Sequence, residues 1–551
     1  MKKVKLSLHR PEQGRPEKSS RLAQVKRYLA WLESLPLGNM TAAGNQLLLA
    51  LQEMNQAEIP QKQRLEMLDH TISPVLTVVG VLDRHYRDTA FPLDEKRDRV
   101  GRVAVQFFRE LSMGYRLAAY DMVGTSTSVG FMQKRAVGRC LHAALACLEQ
   151  MLYRQGMLYQ QAAPQVWNEI NVLYAFARQN DMHERVIESD LCLATSASID
   201  DLFRRIALFG ISDPSRLGQR AMRALAQAAA LWARRIRVNA AVSLDKAAAG
   251  LFEIEVEGDD PPVLITDGEV PAKFDLVFDV RELRNWLLEV EETAQEQLRE
   301  LSFKDNDGKP LIIDRDLINQ LLATWGIRRK RSFQRLQGHH MVRLFVGLHA
   351  AHFMLADEGP FTRFLREYGD PSFVEAASRD RPRFGGQDTV EGRPPAYEAE
   401  VLNQSLGGYR LRLVDVERLQ VRVGELVVLC ADSLFERTPL WMMGIVRWLN
   451  AIDVREIELG IGVVGRDLVP AALLATQSGD AAVPHRALGY RPFRDGDGNG
   501  KDRFATAGMS AIAGPTAICV GDSRKSFCGP IATSEKLEKT SEVVLMGYAR
   551  D

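Results

Sequence analysis

The chain has 551 residues, 46% hydrophobic and 26% charged, which is enough for two to four domains because single cores stop growing near about 250–300 residues. Lys plus Arg and Asp plus Glu balance at 71 each, so no global field draws the protein to nucleic acid or a membrane surface, and any anion site has to be local. Six scattered cysteines with no C-x-x-C pair point to reduced thiols rather than a disulfide framework or a zinc site.

Residues 1–19 read as a flexible polar lead; they are basic, but no apolar segment of a signal peptide follows. No run approaches the roughly 20 apolar residues of a membrane span, so the expected location is the cytoplasm. Residues 20–240 read as a helical domain. "RLAQVKRYLAWLESL", "RVAVQFFRELSMGYRLAAYDMV" and "QRAMRALAQAAALWARRIRV" repeat apolar residues at i, i+3, i+4 and i+7, which puts one stripe on one helix face. Residues 241–356 mix short strand-like runs ("FEIEV", "FDLVFDV") with helical ones ("VRELRNWLLEVEETAQEQLREL") and read as a small α+β domain. Residues 357–396 are rich in Gly and Pro. The strand-like runs "YEAEVLNQS", "YRLRLV", "LVVLC", "LWMMGIVRWLN" and "EIELGIGVV" follow, with turns every 8–15 residues as a small barrel requires. Residues 471–551 have weak periodicity and form a poorly specified tail.

The turn inside "YEAEVLNQSLGGYRLRL" admits two readings. Asn403 and Ser405 suit any tight hairpin, and Gly408 can take positive φ; the same groups, with no side chain over the glycine, also suit a small-ligand cradle. Twenty residues upstream, Arg379 and Arg383 stand four apart in "RDRPR", inside the Gly/Pro-rich stretch. Other R-x-x-x-R pairs, "RLGQR" (Arg216, Arg220) and "RSFQR" (Arg331, Arg335), read as ordinary solvated arginines. A guanidinium fork binds phosphate bidentately and also bonds or stacks on guanine. The conjunction of an arginine loop with a polar, glycine-bearing turn favours the cradle.

Arg379-x-x-x-Arg383 followed by Asn403-x-Ser405-x-x-Gly408 resembles the signature of PilZ domains, receptors for the bacterial second messenger cyclic di-GMP. The strands "VRVGELVVL", "MGIVRWLN" and "IELGIGVV" resemble the later strands of those barrels, and the resemblance spans about residues 376–470. It implies a multidomain α+β protein with a six-stranded PilZ-like barrel over 357–470, carrying an N-terminal arginine loop. Arg379 and Arg383 would take the phosphates and guanine edges, with Asn403, Ser405 and Gly408 lining the barrel side. The implied function is a bacterial cytoplasmic receptor with no catalysis, metal or cofactor, which passes binding to a helical module that meets a protein partner. A scaffold whose barrel no longer binds nucleotide is the alternative, since "GGQDTVEGRPPA" separates the arginines from the first strand.

Weaker patterns are set aside. "DGDGNGKDR" (Asp495–Arg503) starts like an EF-hand loop, but position twelve is Thr506 rather than glutamate. His349 and His352 have metal-ligand spacing without further ligands nearby. "RRKRSFQR" is a cationic cluster that could meet nucleic acid, but the neutral charge of the whole chain favours a solvated helix end over a nucleic-acid partner, and Ser523 lacks a nucleophile elbow. Of Arg447 and Trp448, strict alternation turns one to the barrel core and the other out, with Trp448 the expected core residue.

Overall fold

The computed structural model describes residues 3–6, 11–193, 196–240, 249–265, 275–294, 300–304, 308–326, 334–379, 393–415, 418–431, 440–476, 482–492, 502–507, 517–521, 526–540 and 543–550. Arg383, the Asp495–Gly500 run and Ser523 lie outside them. The chain forms two compact units, Met1–Thr89 with Leu93–Lys330 and Ala90–Pro92 with Arg331–Asp551.

In the first unit the helices are α1 (Val25–Glu33), α2 (Met40–Gln56), α3 (Gln61–Leu82), α4 (Glu95–Val123), α5 (Lys134–Met157), α6 (Val166–Gln179), α7 (Ile199–Ile211) and α8 (Gln219–Trp232). Helix starts are set by capping: the Asp94 carboxylate accepts from the Arg97 amide at α4, and Ser198 and Asp201 cap each other reciprocally at α7. Helix α5 is buried on all sides from Cys140 to Met157 and forms the axis of the bundle. The charges it carries inward are paired, as buried ions must be. Arg154 donates to both Asp83 oxygens at 3.1 and 2.9 Å, and Arg205 meets Glu149 at 2.8 Å.

Helix α3, extended to His85, is long and apolar enough to cross a membrane by length and composition. Here Met67, Leu68, Val75, Val78 and Val79 form its buried stripe, and buried Arg64 donates to the carbonyls of Met54 and Ala57. The same unit holds a four-stranded antiparallel sheet (Arg237–Ala240, Leu251–Ile254, Val263–Leu264, Leu276–Asp279). The hairpin Glu300–Lys304/Pro310–Asp314 and helices α9 (Arg281–Thr293) and α10 (Arg315–Thr324) complete it. Trp325, just after α10, meets Trp232 edge-on at 6.3 Å, so the strand-bearing part shares core with the bundle.

The second unit is built on strands β1 (Met341–Val346), β2 (Tyr397–Ser405), β3 (Gly408–Val414), β4 (Leu426–Ala431), β5 (Leu440–Ala451) and β6 (Glu456–Thr476). They run in the order β3–β2–β1–β4–β5–β6, and β3 pairs with β6 to close a six-stranded barrel. Leu344, Ala399, Val401, Leu411, Leu413 and Leu459 alternate into its interior, and none is exposed. Between β1 and β2 the chain inserts α11 (Gly347–Leu355), α12 (Phe361–Tyr368) and α13 (Pro371–Arg379). Beyond residue 476, where the sequence shows little periodicity, five more strands follow: β7 (Ala482–Pro492), β8 (Asp502–Ala507), β9 (Ala517–Gly521), β10 (Ser526–Lys539) and β11 (Val543–Arg550). Phe91, contributed by the Ala90–Pro92 segment, exchanges two 2.9 Å backbone bonds with Val421.

His352 on α11 lies buried edge-on to Phe361 and Phe364, at 5.2 and 4.9 Å, and burial pushes its imidazole down to about 3. The unfolded chain therefore holds a proton that the folded chain refuses between about pH 6.5 and pH 3. Stability of this unit should fall through that window by up to about 1.4 kcal/mol per pH unit. His352→Leu should flatten that part of the dependence, read by urea unfolding at stepped pH.

Candidate functional site

In β2, Tyr397, Ala399 and Val401 point inward and are buried. Continued alternation would send positions 403 and 405 inward as well. The ladder instead slips between Val401 and Asn403, leaving Leu402 as one extra residue against β3. A bulge of this kind reverses the faces of everything after it. Asn403 then pairs with Arg410 and Ser405 with Gly408, while Gln404 pairs with Tyr409. Tyr409, Leu411 and Leu413 are the inward set of β3; the Tyr409 hydroxyl donates to the sulfur of buried Met442 at 3.5 Å. Asn403, Ser405, Gly408 and Arg410 therefore share the outer face, and the first three are half-buried. The Ser405 hydroxyl reaches the Gly408 carbonyl at 3.5 Å, so it is nearly free to turn to a ligand.

The neighbouring strand supplies a floor. Gly408 pairs with Gly462 of β6, and Arg410 pairs with Gly460, whose other neighbour is Trp448 of β5. A Cβ at Gly460 would collide with the Trp448 indole, and one at Gly462 would stand 2.8 Å from Arg447 Nε. Both side chains lie down on bare backbone, which only glycine permits. Residues 460 and 462 share one face of β6, so Arg447 and Trp448 also share it. A second register slip, between Val446 and Trp448, makes this possible by breaking the alternation of β5. Trp448 is thus a half-buried outer-face residue, not the core residue that alternation predicts. The guanidinium of Arg410 stands 6.0 Å from its ring and pairs with Glu458 at 2.7 Å; Arg412 pairs with Glu456 at 2.8 Å.

Of the two predicted parts of the site, the turn is described, and the arginine pair is described only as far as the backbone of Arg379. Arg379 ends α13, whose Phe373 and Ala376 pack with Ala472, Leu474 and Cys519, on strands β6 and β9 beyond the first barrel. Arg383 lies outside the described residues. Another arginine stands at the polar turn. Arg335 is exposed and directly precedes the short strand Leu336–Gln337, which pairs Leu336 with Gln404 and Gln337 with Asn403. It is the second arginine of "RSFQR"; Arg331 lies outside the described residues. The available signal was that "RSFQR" immediately precedes "MVRLFV", the first barrel strand, but the helical insert separates that strand from β2 by 50 residues, Gly347 to Ala396.

The arrangement can receive a planar, anionic ligand. Trp448 offers a stacking face, Asn403 and Ser405 offer hydrogen bonds, and Arg335 and Arg447 offer charge. Among the described residues no group of three or more His, Cys, Asp or Glu could hold a metal ion.

Residues 26–242 match the family model described as the N-terminal domain of cyclic-di-GMP receptor FimW. Residues 251–384 and 367–470 match that of the receptor's middle PilZ domain. The curated cyclic-di-GMP receptor FimW of Pseudomonas aeruginosa is 25% identical over 493 residues, covering 80% of this chain and 77% of that protein. No solved structure matches.

The glycine floor is directly testable. Gly460→Val should lift the Trp448 ring from the sheet, red-shift its fluorescence and cost about 1–3 kcal/mol in urea unfolding, the range for overpacking.

Proposed function

The chain is a PilZ-domain protein, and on that footing we propose that it is a receptor for cyclic di-GMP, which it binds on the outer face of the first barrel without turning it over. The observation that carries this reading is the meeting of Asn403, Ser405 and Gly408 with Arg447 and Trp448 on one glycine-floored surface. A guanine can stack on the indole while the turn bonds its edges or the sugar-phosphate backbone. Each charge-assisted bond from an arginine is worth roughly 1.5–3 kcal/mol, comparable to the ordering of one or two loop residues at about 1–2 kcal/mol each. A loop that closes on the ligand is then poised near balance, as a concentration sensor requires.

Two arginine pairs can serve as the closing clamp. The position of Arg335 beside Gln404 favours Arg331 and Arg335, whereas the 20-residue spacing to Asn403 favours Arg379 and Arg383. The FimW likeness across 26–242 supports the helical region as part of the same receptor; in this proposal it answers binding in the cytoplasm, through a protein partner. The division of the chain at about 20, 240, 356 and 470 remains part of this proposal. The scaffold alternative predicts no binding at all.

Calorimetry with cyclic di-GMP decides. The parent should give saturable heat at tens of micromolar protein; none would leave the scaffold reading. Arg331→Ala or Arg335→Ala should weaken binding by about tenfold or more, one charge-assisted bond, with Arg379→Ala and Arg383→Ala near the parent. The reverse ranking transfers the clamp to the second pair. Ser405→Ala should cost about fivefold, the worth of one neutral hydrogen bond at about 1 kcal/mol.

A further inference from the structure

Strand β6 is 21 residues long and serves two closed rings. Its first half pairs with β3 and β5; from Gly465 it pairs with β7 and from Ala471 also with β9. The second ring runs β8–β7–β6–β9–β10–β11 and closes through the pairing of β8 with β11. Numbered by chain order within each ring, both read third, second, first, fourth, fifth, sixth, with the third paired to the sixth. The weakly periodic tail thus repeats the topology of the first barrel, with β6 acting as last strand of one and first strand of the other.

The shared ring order allows position-by-position comparison. In the first barrel Arg410 on the third strand pairs with Gly460 on the sixth, and Gly460 with Trp448 on the fifth. In the second, Arg503 pairs with Gly547, and Gly547 with Glu535. The arginine and glycine recur, and the register position of Trp448 is taken by residue 535, a glutamate in the sequence. Arg410 also pairs with Asn403 on the second strand, and Arg503 pairs with Tyr490. Tyr490 is 7% exposed. No separate segment leads into the first strand of this ring, because β6 arrives directly from the first barrel, so there is no place for an arginine loop.

At Tyr490, the counterpart of Asn403, the surface equivalent to the nucleotide face is covered. The second ring's interior holds Ala471, Leu473, Ala487, Phe504 and Ile518. Leu488, Tyr490 and Leu545, on the opposite side of their strands, pack in one cluster with Phe345, Val428 and Ile445 of the first barrel. We propose that the C-terminal barrel is a receptor-type barrel converted to a docking module: the face that takes ligand in the first barrel is used here to seat the second barrel on the first, and among the described residues one nucleotide-binding face is left. The second half of the statement rests on the proposed cyclic di-GMP binding; the first half does not.

Hydroxyl-radical footprinting of the full chain, with and without saturating cyclic di-GMP, tests both halves. Tyr490 should label at less than a tenth of the rate of a free tyrosine in either state, and ligand should cut labelling at Trp448 while leaving peptide 482–492 unchanged. Free labelling of Tyr490, or protection of 482–492 with the same half-saturation as Trp448, overturns the proposal. As a second arm, the Arg335→Ala/Ser405→Ala variant should lose calorimetric binding by about 50-fold or more, the product of the two single losses; a retained saturable site of parent affinity overturns the single-face claim. A parent that gives no heat defeats the nucleotide reading alone, and Tyr490 labelling still decides the docking.

Discussion

An extra residue at Leu402 shifts β2 by half a pleat, and the polar groups of the candidate site face outward only because of it. The period of a strand is two, so one inserted residue exchanges inside and outside for everything downstream. Without the slip, Asn403 and Ser405 would be buried among Ala399, Val401 and Leu411, where an unpaired amide or hydroxyl costs about 1–3 kcal/mol. The second slip, at Arg447, works to the same end from the opposite strand. Between the two, Gly460 and Gly462 let a ring and a guanidinium lie on the sheet itself. The candidate surface is therefore a product of backbone register more than of side-chain choice.

That dependence explains what could be read from the sequence. Period-3.6 stripes marked the helical half, because amphipathic helices write their packing into local spacing. The paired motif marked a barrel through its resemblance to PilZ domains, and the valine- and leucine-rich runs did so through their regular turn spacing. Trp448 was misplaced because a bulge is a mismatch between two strands and leaves no trace in either alone. Arg335 was passed over as a solvated arginine because its nearness to Asn403 depends on the pairing of Leu336 with Gln404 across 68 residues of chain. The strands after residue 476 were hidden by the sharing of their core: Leu488 and Leu545 face the first barrel while Ala487 and Phe504 face their own. A strand buried on both sides loses the alternation that would announce it.

The helical insert belongs to the first barrel by connectivity; α11 packs where the two barrels meet, and α12 and α13 pack on the second. Helices α11 to α13 leave β1 and return as β2, yet Phe364, Phe373 and Ala376 rest on Ala472, Leu474 and Cys519. The packing is tight where Gly521 meets Tyr368, with no room for a Cβ between them.

The double membership of β6 has a consequence for how the protein comes apart. Near its middle, Asp467 takes φ +52° and the register slips between Arg466 and Val469, so the strand turns from one ring to the other without ending. Peeling either ring open strips hydrogen-bond partners from a strand that the other still needs. Two barrels strung on a linker would melt in turn; these are riveted along a common stave, and heat or a protease has to defeat both at once.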